Sequence, residues 1–380
     1  MKRRKLVALS LLTAAAFILS VTVKAESDKD DRGPYKYLGT ITIPTGLVGF
    51  DISWVDSEAG RYYLADRGNA TATPPVIPTI DVIDTEHDKF LYSIPLSSPG
   101  NGVVAIHKSG DDEDERDEPG SGQLVVGTND SNALFINLAH PFATPFPVST
   151  GGKGRADELA FDPTDHLILI ANDRAVDLFV TLIKTTNVPH VVGKIYYDGS
   201  VPGNPVSTGG IEQPVWDGAK KKFYISIPST KQNANGEVDE IDPITMKITR
   251  IIPTTCGPAG LALIPGQRLM TSCGDVIKIA NGDVTHTPNV GADEIWFNRG
   301  DDRVYFGGYQ SINVPVVSGL PPFNKIDNLV VGQINTPPTP NHTTHSVAAD
   351  SENNHIFVPV THEGVKVYTQ SEGKDDGEDN

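Results

Sequence analysis

The sequence predicts an all-β chain: a seven-bladed β-propeller of four-stranded blades, with the ring closed by the N-terminal strand. Three observations carry that prediction. First, one phrase recurs, a short apolar run ending at a reference residue. It closes at Asp56 in FDISWVD, Ile106 in NGVVAI, Asp162 in DELAFD, Asp217 in EQPVWD, Ile264 in AGLALI, Asn298 in DEIWFN and Asp350 in HSVAAD. Second, these spacings are the size of a repeat that holds four short strands, which favours a propeller over other arrays. Third, the 380 residues include 36 glycines and 29 prolines, and no amphipathic pattern of helical length follows residue 25. An irregular β-sandwich is the competing architecture.

The hairpin from Gly210 to Ser229 shows the unit most clearly. Pro214, Val215 and Trp216 end at Asp217, a basic turn follows, and Phe223 to Ile227 alternates apolar and polar residues. In the first blade Arg61 to Asp66, Ile80 to Thr85 and Lys89 to Pro95 are the second, third and outer strands. In the third they are preceded by Glu158 to Phe161 and run His166 to Ala171, Leu178 to Thr185 and His190 to Tyr197. The fifth repeat is the shortest, and Pro315 to Pro322 blurs the third strand of the sixth. Tyr35 to Pro44 is a strand without a hairpin partner, whereas the last repeat, ending at Val365 to Gln370, has only three strands. Pairing the two ends completes a blade and removes an exposed edge.

The domain organisation follows. Lys2, Arg3, Arg4 and Lys5 precede an apolar run from Leu6 to Val23, and Val23-Lys24-Ala25 resembles a cleavage site before Glu26. Residues 1–25 read as a signal peptide, with an uncleaved membrane anchor as the alternative. Residues 26–34 form a flexible segment, 35–370 the propeller and 371–380 a disordered acidic tail. The expected location is the periplasm or the cell exterior. Loss of the five basic residues of the leader takes the net charge from −17 to −22, which argues against nucleic acid or anionic membrane as partners. The acidic run Asp111 to Glu118 lacks the spacing of a calcium loop and reads as solvated. Asn69 and Asn341 match the glycosylation sequon, a pattern common by chance.

The two cysteines, Cys256 and Cys273, both lie in the fifth repeat. If GLALI pairs with RLMTS across Pro265-Gly266-Gln267, Cys273 falls opposite residue 259, and Cys256 sits just beyond the same strand end. An oxidising compartment then allows a bridge closing the hairpin, with two separate thiols as the alternative.

In a propeller the inner strand of each blade lines the channel, so residues at equal register converge. Five positions before the reference residue stand Asp51, Asn101, Asp157, Glu212, Ala259, Asp293 and His345. Carboxylates gathered there repel one another unless a cation or a proton neutralises them. A divalent metal, Ca²⁺, Mg²⁺ or a transition ion, is an economical answer, with Asp51, Asn101, Asp157, Glu212, Asp293 and His345 as candidate ligands. Glu158 and Glu294, one residue later, are the substitutes. The second-strand ends add Asp66, Asn129, Asp130, Asn172, Asp173 and His362. The plain alternative is a wet polar channel with turn-capping Asp and Asn. His342 and His345, three apart, point to opposite faces of a strand and make no metal pair by themselves. The chain has no nucleophile elbow, zinc helix or P-loop, and GGKGRADE at Gly151 to Glu158 falls short of a dinucleotide fingerprint.

IEQPVWD, GPAGLALIPGQRL, GADEIWFN and HSVAAD resemble the repeat phrases of secreted YVTN/YncE-like propeller proteins, from Tyr35 to Gln370. EQPVWDGAKKKFYIS is also similar to the opening strand of the gluconolactonase and senescence-marker-protein group, six-bladed metal-dependent lactone hydrolases. That second resemblance implies metal ligation by Glu212 and by Asn101. This chain differs in having seven repeats, and in Gln213 where the group has Gly. The expected function is a monomeric binding or scaffold protein that takes a small molecule or protein at the channel face. A metal-dependent lactone hydrolase or lyase, using Glu212, Asn101, Asp293 and His345, is the rival. A quinoprotein-like oxidoreductase is weaker, because no haem or adjacent-cysteine signature accompanies it.

Overall fold

The computed structural model describes residues 35–107, 122–173, 178–186, 188–308, 313–318, 325–330 and 342–370. The leader at 1–25, the segment 26–34, the acidic run 111–118, the sequon at Asn341 and the tail 371–380 lie outside them. No helix occurs among the described residues.

The strands pair as seven four-stranded antiparallel sheets. The first comprises β2 (Phe50–Asp56), β3 (Arg61–Asp66), β4 (Thr79–Asp84) and β5 (Lys89–Pro95). Then come β6 (Gly100–Ile106) to β9 (Phe146–Ser149), β10 (Ala156–Asp162) to β13 (His190–Tyr196) and β14 (Pro214–Asp217) to β17 (Lys247–Pro253). They are followed by β18 (Leu261–Ile264) to β21 (Val284–His286) and β22 (Glu294–Asn298) to β25 (Lys325–Val330). The remaining sheet joins β26 (Ala348–Ala349), β27 (Ile356–Val360) and β28 (Gly364–Gln370) to β1 (Tyr35–Ile41) from the other end of the chain. The inner strands β2, β6, β10, β14, β18, β22 and β26 touch in that cyclic order, and β26 touches β2. The molecule is therefore an all-β propeller of four-stranded blades.

Burial explains the sequence pattern of each blade. The second strands RYYLAD, LILIAN and KFYISI are almost wholly buried, since neighbouring blades cover both of their faces. The outer strands KFLYSIP and KITRIIP alternate between exposed and covered residues. Pro315 sits within β24 (Asn313–Ser318), so a third strand exists in the Pro-rich repeat.

Where the reference residue of the repeat phrase is Asp or Asn, its side chain closes the turn after the inner strand. Asp162 Oδ1 accepts the amides of Thr164 at 2.8 Å and Asp165 at 3.2 Å. Asp217 Oδ1 accepts those of Ala219 and Lys220, and Asp350 Oδ1 accepts that of Glu352. Asn298 does the same for Gly300. A short carboxylate or amide at this place satisfies backbone donors that the turn leaves over, so the recurrence of Asp and Asn there is structural.

Closure follows the expected route. β1 pairs antiparallel with β28, from Tyr35↔Gln370 to Ile41↔Val365. A buried cluster of Ile41, Phe50, Tyr62, Phe357 and Val365 then packs the first blade on the last, with the Tyr62 and Phe357 rings 5.1 Å apart. Each such side chain contributes roughly 1.5–3 kcal/mol of burial. Ser53 and Ser346 Oγ atoms meet at 2.8 Å across the same seam. In the fifth sheet Leu261 pairs with Thr271, and Cys256 and Cys273 form a disulfide with Cα atoms 5.9 Å apart.

Candidate functional site at the channel mouth

Pairing slips between Phe50 and Ser53 in β2, between Gly100 and Val103 in β6 and between Ala156 and Leu159 in β10. Asp51, Asn101 and Asp157 stand in these irregular stretches. A bulge re-aims side chains at a strand end, and here it occurs on three consecutive inner strands at one height. Gly102 makes the arrangement possible: a Cβ there would lie 2.4 Å from the carbonyl oxygen of Asp157, so β6 and β10 approach closely only because the position has no side chain.

Asp51, Asp157, Glu212, Asp293 and His345 line one cavity of about 260 Å³, together with Ile52, Glu158, Arg67 and Arg155. The equal register thus brings five of the six candidates to one face. Asn101 is fully buried behind them. Its Oδ1 accepts from Arg67 Nη2 at 2.9 Å, and its Nδ2 donates to the Ala156 carbonyl at 2.8 Å. Ala259 contributes no polar side chain, and its carbonyl accepts from Ser226 Oγ. Of the second-strand ends, Asp173 reaches the mouth through Arg155, whereas Asn172 is engaged by Ser131 and Thr150 inside the sheet. His342 pairs with Glu363 at 2.6 Å, whereas His345 turns to Asp51, and the two stand in an irregular stretch before β26 rather than in a strand.

Two arginines that carry no repeat signature organise the carboxylates. Arg67, just past β3, binds Asp51. Arg155, just before β10, binds Asp157, donates to Asp173 at 2.7 Å and lies 3.5 Å from Asp51. Such buried pairs roughly balance their desolvation cost, so their main effect is to fix positions. His345 stacks on Phe50 with ring centroids 4.6 Å apart and sets Nε2 3.5 Å from Asp51.

The carboxyls accordingly divide in character. Burial opposes the charge of Asp51, but His345, Arg67 and Arg155 hold it below the ordinary carboxylate value. Burial pushes Glu212 up to about 8, and repulsion from Asp173 adds to it. Asp157 is raised well above the usual range, burial outweighing the help of Arg155. Asp157, Asp173 and Glu212 offer oxygens that all lie within 4.8 Å of one another. Oxygen donors at that spacing suit a hard divalent cation, which would share Asp157 and Asp173 with the Arg155 guanidinium.

No family model and no curated protein matches the chain. Among solved structures, a chain from the crystal structure of a mitotic checkpoint complex is similar, with a TM-score of 0.60 at 10% identity, over 97% of this chain and 99% of that one. At that identity the likeness shows the propeller fold alone.

Proposed function

We propose that the protein is an exported binding protein that holds a divalent cation in the polar channel mouth and, through it, a small molecule or protein partner. The observation that carries this reading is the mutual approach of Asp157, Asp173 and Glu212 within 4.8 Å. The Cys256–Cys273 disulfide suits the oxidising periplasm or exterior. The resemblance of the repeat phrases to those of secreted YVTN/YncE-like propellers supports the export part of this reading. A cation there stabilises the native state by mass action, by about 2.7 kcal/mol at a hundred times Kd. Calcium, magnesium and manganese titrated into chelator-treated protein are expected to raise Tm, and Glu212→Gln to remove most of that rise. Unchanged melting with every ion would refute the reading and leave a wet polar channel.

The lactone-hydrolase reading draws on Glu212 standing in its phrase at the mouth. It is the weaker one, because the Asn101 side chain is committed to Arg67 and Ala156, away from the cavity.

A further inference from the structure

The other end of the channel holds a second and different cavity, of about 540 Å³. It opens where the inner strands finish, beside Ser57, Pro163 and Arg299, whereas the polar mouth lies where those strands begin. Its wall is aromatic. Trp54, Trp216 and Trp296, all the tryptophans of the chain, line it with Phe161 and Phe297. None of the five is fully buried, and Trp54 and Trp296 meet edge to face with ring centroids 5.2 Å apart. Rings packed into a channel wall yet left partly open are the surface that receives another ring or a cation.

Acidic groups stand where this cavity deepens toward the mouth. Glu158 and Glu294 line it, and they are 6% and 3% exposed. The Oε2 atom of each is buried without a hydrogen-bond partner, and neither residue forms an ion pair among the described residues. Glu158 also borders the polar cavity, so it stands at the waist between the two ends, with Glu294 on the aromatic side. Orphaned buried acceptors are costly unless a donor meets them, and a cationic donor meets them best. The rim carries both signs, Asp56 and Glu58 with His107 and Arg299, so it selects no charge.

We propose that this cavity binds an arylalkyl ammonium ion, its ring against Trp54, Trp216 and Trp296 and its ammonium group at Glu158 and Glu294. The volume holds an aromatic ring and a short alkyl chain, within the range of small-molecule sites. This site is separate from the cation in the mouth and does not rest on it.

The test uses the whole mature protein and two probes of equal shape, 2-phenylethylammonium and the neutral 2-phenylethanol. Tryptophan fluorescence reads the site directly, since every tryptophan lines it. The amine is expected to change the emission saturably and to bind about tenfold tighter than the alcohol. Glu294→Gln should bring the amine down to the alcohol's affinity and leave the alcohol unchanged, while Trp216→Ala weakens both. Circular dichroism melting confirms that each variant is folded, and isothermal titration repeats the measurement without fluorescence. Equal affinity for the two probes would overturn the proposal, as would no saturable response to millimolar amine. Amine binding lost in Glu212→Gln but kept in Glu294→Gln would move the site to the polar mouth and overturn it equally.

Discussion

Asp51 on β2 and Arg155 just before β10 lie 3.5 Å apart, across the intervening inner strand β6. The contact spans three blades, and the same guanidinium also holds Asp157 and Asp173. Arg155 therefore supplies much of the positive charge that lets carboxylates from the first and third blades share one mouth.

Replacing Arg155 with Gln is expected to lower stability by about 3 kcal/mol in chelator-treated protein, because it leaves several buried carboxylates without their cation. The same variant should bind divalent ions more tightly than the wild type, since the ion no longer competes with a guanidinium. Thermal melting with and without calcium checks both halves. A variant as stable as wild type and no more responsive to calcium would show that Arg155 is peripheral.

A second prediction concerns pH and Asp66, the last residue of β3. Burial, and then Asp81, push Asp66 up to about 7. The folded state thus keeps a proton that the unfolded chain releases near pH 4. Its stabilising effect is fully present below that lower value and is lost as pH rises to about 7, by roughly 1.4 kcal/mol per unit at most. Urea unfolding between pH 4 and 8 should show a decline that Asp66→Asn flattens. An unchanged slope in the variant would assign the pH dependence elsewhere.

How far these features were legible differs from residue to residue. The repeat phrase could be read because its closing Asp or Asn answers a backbone demand that recurs in the turns at Asp162, Asp217, Asn298 and Asp350. Equal register then carried Asp51, Asp157, Glu212, Asp293 and His345 to one cavity. Register alone did not show that Asn101 turns inward to Ala156, because that depends on a bulge and on Gly102, neither of which has a periodic signature. Arg67 and Arg155 stand outside the apolar runs, and their reach is set by long flexible side chains. The aromatic end was hidden for a related reason: its three tryptophans occupy two different registers, Trp54 and Trp296 two before the reference residue and Trp216 one before it.

The Cys256–Cys273 bridge has a sequence separation of 17, so its chain-entropy contribution is about 3 kcal/mol. Reduction, or Cys256→Ser with Cys273→Ser, should lower Tm by a few degrees and leave the ring intact by circular dichroism. Thiol titration of denatured, unreduced protein should find no free sulfhydryl. Two reactive thiols in exported material would contradict the bridge.

Deletion of 35–41 removes β1 and exposes the backbone of β28, and with the loss of Ile41 it uncovers the apolar seam of Phe50, Tyr62 and Phe357. An unpaired edge and an uncovered core act on the whole ring, so one cooperative loss of stability and a tendency to associate are expected. Size-exclusion chromatography with calorimetry checks this. A truncated monomer with the parental Tm would mean that the last blade closes without β1.

The last prediction returns to the glycine on which the mouth depends. A Cβ at residue 102 would sit 2.4 Å from the Asp157 carbonyl oxygen and 2.7 Å from the Glu158 Cα, both backbone atoms that cannot swing aside. Gly102→Ala must therefore push β6 and β10 apart, at a cost of about 1–3 kcal/mol. The displacement acts on Asp157 and Glu158 together, one residue lining the polar cavity alone and the other bordering both. Gly102→Ala should thus weaken both the calcium-dependent rise in Tm and the tryptophan response to 2-phenylethylammonium, though residue 102 offers no side chain to either ligand. As a control, Gly203→Ala changes a glycine whose added Cβ meets nothing within 4 Å, and it is expected to leave both responses intact despite its positive φ of 92°. If Gly102→Ala keeps both responses at wild-type strength, the close approach of β6 to β10 is not what sets the two ends of the channel.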